Sequence, residues 1–76
     1  MSSFLTDRDN ILVEEMCDAV KLALEEAERD EVVFEASVSG GLFVLEEVRD
    51  RARAVGYVAE LSGGVLSVKK KAETPR

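Results

Sequence analysis

The stretch Glu31–Val38 does most to restrict what this chain can become. Val32, Phe34, Ala36 and Val38 alternate with Glu31, Val33, Glu35 and Ser37, which is the period of a pleated strand with one buried face. Segments of helical period lie on both sides of it. The apolar side of this strand therefore predicts two helices packed over it and a C-terminal hairpin paired with it.

A first helix is expected over about Ile11–Arg29. Leu12, Val13, Met16, Cys17, Val20, Ala23, Leu24 and Ala27 fall within one arc at helical pitch, with Glu14, Asp18, Lys21, Glu25 and Glu28 opposite. Thr6 is a plausible N-cap with Asp7 and Asp9 in the first turn, where the helix dipole favours anions. Asn10 is the rival start. Lys21–Glu25 and Glu25–Arg29 have the i,i+4 spacing of helical ion pairs. Ile11 and Leu22 are left on the polar side, three turns apart; two such stray residues are ordinary, and a contact with a second subunit is the alternative reading. Phe4 and Leu5 read either as a strand stub or as a hydrophobic lead-in.

Ser39, Gly40 and Gly41 make a turn, and Leu42–Val55 reads as a second helix. Leu45, Val48, Ala52 and Val55 share its stripe, and Gly56 stands where a C′ glycine ends a helix. In a rival reading, residues 42–45 extend a strand after a glycine hairpin. Tyr57–Leu61 and Val65–Lys69 are short strands joined through Ser62, Gly63 and Gly64, a hairpin signal. Residues 72–76 read as a loose tail. The order is (β)αβαββ. This predicts an α/β (α+β) two-layer sandwich with both helices on one face of a mixed sheet. Its first two firm strands run parallel through a right-handed crossover.

Seventy-six residues make one domain, and a chain this short buries only about 60% of the surface it exposes unfolded. Cys17 is the only cysteine, so no disulfide can add stability. A lone thiol and no secretory core segment point to a reducing, cytoplasmic location. The longest apolar run, Leu42–Leu45, is far short of a membrane span. Many charged residues with few amides is a bias of thermostable proteins. Met1–Glu47 holds 13 acids and 3 bases, whereas Val48–Arg76 holds 3 acids and 7 bases. A net charge of −6 disfavours generic nucleic-acid binding, which depends on clustered Lys and Arg. The separation of sign would suit head-to-tail contacts between copies or a basic partner, against the simpler reading of a soluble charged surface with chance asymmetry.

The run Ala23–Val33, then Gly56 with Tyr57, the second glycine hairpin and the terminal Lys69 and Lys70 together resemble the small sulfur-carrier proteins of the TusA/SirA type. That resemblance implies the order strand, helix, strand, helix, strand, strand. It also implies a persulfide-carrying cysteine in a C-P-x-P motif at the start of the first helix. In register, that motif falls on Val13, Glu14, Glu15 and Met16, so the cysteine and both prolines are missing. The resemblance implies a non-enzymatic interaction module in, or derived from, a sulfur-relay or regulatory pathway.

Other sites are weighed against simpler readings. Cys17 serves as a sulfur-carrying thiol only if the helix begins late, near Met16; otherwise it is a small apolar residue of the core stripe. Arg49, Arg51, Arg53, Lys69, Lys70 and Lys71 would form the basic surface of a nucleic-acid-binding module, against the simpler reading of a solvated helix face paired with Glu46, Glu47 and Asp50. Ser39, Gly40 and Gly41 would hold an anion on backbone N–H groups, against an ordinary turn. Without histidine and with one cysteine, ordinary zinc sites are excluded. No nucleotide-binding glycine motif occurs, no cofactor is expected, and no residue stands out as a catalytic base.

Overall fold

A computed structural model describes residues 6–37 and 40–70. The expected Phe4–Leu5 stub, Val38, Ser39, Lys71 and the tail 72–76 lie outside them. The elements are α1 (Asp7–Lys21), which runs on as a π-helical turn (Leu22–Glu26), then β1 (Glu31–Glu35), α2 (Leu42–Ala54), β2 (Val58–Ser62) and β3 (Val65–Lys69).

Thr6, not Asn10, starts α1. The Asp9 N–H donates to Thr6 Oγ1 at 3.1 Å, and the Thr6 N–H donates to Asp9 Oδ2 at 3.2 Å. This reciprocal capping box satisfies two donors that a helix start otherwise leaves open. Val13, Met16, Val20 and Leu24 are buried, as the arc requires. The arc then breaks. The Ala27 N–H donates to Leu22 O and the Arg29 N–H to Ala23 O, each at 2.8 Å. These wider loops shift the helical phase, so Ala27, expected on the apolar arc, is exposed. Glu28 ends the element with φ 55°, a left-handed conformation unfavourable for a residue with a Cβ.

The helix at Leu42 is also decided: residues 42–45 are helical, with Val44 and Leu45 buried. The buried stripe is Val44, Leu45, Val48 and Ala52. Val55, expected at its end, is the C-cap and is 70% exposed. The termination of α2 follows the Schellman pattern. The Tyr57 N–H donates to Ala52 O at 3.0 Å and the Gly56 N–H to Arg53 O at 3.1 Å, while Gly56 takes φ 102°.

Among the described residues, all strand pairing is antiparallel. The order is β1-β3-β2, with Val32 opposite Val68, Val68 opposite Ala59, and Leu66 between Phe34 and Leu61. This corrects the mixed sheet. β1 and β2 do run in the same direction, but β3 lies between them and bonds both. A two-residue turn forces that arrangement on the β2 side: Gly63 and Gly64 take φ 59° and 77°, which suits a tight primed turn. The alternation of Glu31–Glu35 keeps its expected phase, with Val32 and Phe34 turned inward and half-buried. Among the described residues, the sheet is centred on β3, whose Leu66 and Val68 are fully buried, and β1 pairs on one side only. The described strand also stops at Glu35 and turns at Ala36 and Ser37.

The result is a small α+β globule of two helices and a three-stranded antiparallel sheet. Side chains of both helices and of Ala59, Leu66 and Val68 form one core, flanked by Val32, Phe34, Leu61 and Tyr57.

Candidate binding cleft

α1 and α2 run side by side in the same direction. At their start, Gly40 brings the chain so close to α1 that an added Cβ would sit 2.5 Å from Leu12 Cδ2. Further along, the two helices line a cleft of about 330 Å³, with Cys17, Asp18, Val20 and Lys21 on one side, Val48, Arg51, Ala52 and Val55 on the other, and Tyr57 beyond them. Side chains at Cys17, Val20, Val48 and Ala52 are short, and α2 ends at Ala54 while the α1 segment continues into its π turn.

Tyr57 ties the end of the cleft to that turn. Its hydroxyl donates to Glu25 Oε2 at 2.9 Å, and Lys70 Nζ lies 3.9 Å from Glu25 Oε1. Burial, then the hydrogen bond and charge of Glu25, push the Tyr57 phenol above its ordinary pKa. The π turn explains why neither expected pair, Lys21–Glu25 or Glu25–Arg29, is found. It rotates Glu25 out of the i,i+4 row, and the carboxylate meets Tyr57 and Lys70 instead.

Cys17 lies in the third turn of α1, far from the positive helix end, because the helix begins at Asp7. Its thiol is half-buried and its pKa is raised. Burial is the main cause, with Asp18, Glu47 and Glu14 adding to it and Arg51 opposing. A neutral thiol of this kind is a poor nucleophile at neutral pH. The positions Val13 and Met16, where a carrier motif would fall, are buried in the core.

Among the described basic residues, Arg49, Arg51, Arg53 and Lys70 each meet a partner within the fold. Arg49 pairs with Asp50 at 3.0 Å, Arg51 with Glu47 at 2.9 Å, and the Arg53 Nε–H donates to Ala59 O at 2.9 Å. Lys69 projects from the face of the sheet away from the core, in the row of Glu31 and Val58. Lys70 is at Glu25, and Lys71 lies outside the described residues. In the expected anion turn, the Gly41 N–H already donates to Ala36 O at 3.0 Å, and Gly40 is explained by its close approach to Leu12. Among the described residues, no group of His, Cys, Asp and Glu is placed to hold a metal ion. No helix among them is long and apolar enough to cross a membrane.

Of the cleft residues, sequence reasoning named Cys17 and Arg51 as site candidates and missed Val20, Lys21, Val48, Ala52, Val55 and Tyr57. The available signal was Val55 at the very end of its stripe, one residue before a helix-stopping glycine. Comparison of the chain with protein-family models, with curated proteins and with solved structures finds no match.

Proposed function

We propose that this chain is a non-enzymatic interaction module that accepts an apolar side chain of a protein partner in the cleft between α1 and α2. One observation supports the reading above all: the two helices leave an apolar cleft whose rim residue Val55 is 70% exposed. Exposed apolar side chains are individually ordinary, but several beside a concave apolar surface mark recognition sites. Leu22, 54% exposed, follows Lys21 of the cleft wall in the chain. The order αβαββ among the described residues is in keeping with descent from a sulfur-relay module. The engaged Tyr57 and the neutral Cys17 favour binding over thiol chemistry.

The test is an amide-resonance titration with a helical peptide bearing a leucine stripe and otherwise neutral polar residues. Shifts should concentrate at Cys17, Val20, Val48, Ala52 and Val55, and Val55→Asp should abolish them while leaving the fold intact. Absence of shifts, or shifts confined to the sheet, would remove the cleft reading.

A further inference from the structure

The two outer strands of the sheet present different edges. The Ala36 N–H donates to Gly64 O at 2.8 Å, in the register that sets Phe34 opposite Leu66 and Val32 opposite Val68. Backbone N–H and C=O groups alternate sides along a strand, so those of Val32, Phe34 and Ala36 face β3. Those of Glu31, Val33 and Glu35 face away from it. By the same alternation, Ala59 and Leu61 of β2 present theirs to the opposite edge. There the Arg53 Nε–H already donates to Ala59 O at 2.9 Å. Among the described residues, no side chain bonds to the β1 edge in this way.

Side chains give the β1 edge its chemistry. Glu31, Val33 and Glu35 stand on the sheet face away from the helices and are exposed, Val33 at 53%. Glu31 accepts from the Ser67 hydroxyl, and among the described residues neither carboxylate makes an ion pair. On the inner face, Val32 and Phe34 are only half-buried, and a strand added beside β1 would complete their cover. Across such a pairing, opposite charges stabilise and like charges destabilise. A second copy of β1, paired antiparallel about Val33, would set Glu31 against the copy's Glu35, twice over. A basic strand would set Lys or Arg at both places instead.

We infer that the open edge of β1 accepts an extended segment of a protein partner, antiparallel, with basic residues at i and i+4 around an apolar residue at i+2. Backbone bonds to Glu31, Val33 and Glu35 hold the segment, and its residues i+1 and i+3 lie over Val32 and Phe34. Glu31 and Glu35 select its charge. The same two carboxylates bar self-pairing, the ordinary hazard of an exposed edge. This surface is separate from the cleft and stands whether or not the cleft binds.

The test uses a Lys-Val-Val-Val-Lys peptide flanked by serines, the same peptide with glutamate for lysine, and the lysine peptide N-methylated at its central valine. Amide exchange at Val33 and Glu35 should be fast in the free protein and slow with the lysine peptide. That peptide should bind about tenfold more tightly than its glutamate counterpart, with the gap closing as salt is added. N-methylation, which removes a backbone donor facing β1, should abolish the slowing. The double substitution Glu31→Lys with Glu35→Lys should reverse the preference between the two peptides. Equal binding of the lysine and glutamate peptides, unslowed exchange with either, or an unaltered preference in the double variant would overturn the inference. Slow exchange of both amides in the dilute free protein would show the edge already covered within the chain, and slowing on concentration of the protein alone would give it to a second copy; each would also overturn it.

Discussion

α1 and α2 are built from the same kinds of residue and do opposite things with their charges. Both bury a stripe of four side chains in one core. Beyond that stripe, α2 satisfies itself: its arginines bond to Glu47, Asp50 and the β2 carbonyl of Ala59, and it ends on a glycine suited to the conformation required. α1 does not. Its Glu14, Glu15 and Asp18 face solvent, its end widens into a π turn, and its stop is a glutamate in a glycine-like conformation. π turns inside helices are frequent at functional positions. A helix that leaves charge and conformation unresolved within its own fold is the better candidate to meet something else.

The largest test of this contrast is the shared core. Leu24 in the π turn and Leu45 in α2 are both fully buried, so Leu24→Ala and Leu45→Ala should each cost about 2–5 kcal/mol, measured by urea unfolding. A much smaller loss at Leu24 would show that the π turn is not integral to the fold. Next come the helix ends, where the signs should differ. Gly56→Ala forces a Cβ into φ 102° and should destabilise by about 1–2 kcal/mol, whereas Glu28→Gly should stabilise by roughly 0.5–1 kcal/mol. The same sign at both ends would break the comparison.

Smaller effects concern the surface. Arg53→Ala leaves a strand carbonyl without its side-chain donor and should cost roughly 0.5–1.5 kcal/mol, while Asp18→Asn, which breaks no ion pair, should leave the melting temperature unchanged. The smallest concerns pH. Because the Cys17 pKa is raised in the fold, the neutral thiol is favoured there. Its contribution is complete below the ordinary thiol pKa and is lost as pH rises through the raised one. Tyr57, raised likewise, acts with the same sign at higher pH. Alkylation of Cys17 by iodoacetamide should therefore reach its half-maximal rate at higher pH in the folded protein than in urea. An unshifted or lowered midpoint would return Cys17 to the list of reactive thiols.

Much of this fold was legible because it rests on local signals. The Thr6 cap, the α1 arc, the Gly56 stop and the glycine pair of the hairpin each depend on residues within a few positions of one another. Glu31–Glu35 likewise showed its inward face through alternation alone. The misses were non-local. Alternation cannot say whether a strand is central or at an edge, so β1 was given the place that β3 holds. A 3.6-residue period continued past Leu22 put Ala27 inside and Glu25 in an ion-pair row, because nothing within the helix announces the wider turn. Val55 belonged to the stripe by spacing, yet α2 reaches its cap there and the side chain emerges at the cleft.

By itself, then, the sequence determined the elements, their caps and the separation of charge, since each follows from neighbours along the chain. Only the tertiary structure decided the β1-β3-β2 order and the opening between the helices. Those depend on which distant side chains meet. The meeting of Glu25 with Tyr57 and Lys70, 32 and 45 positions away along the chain, is set by packing and not by period.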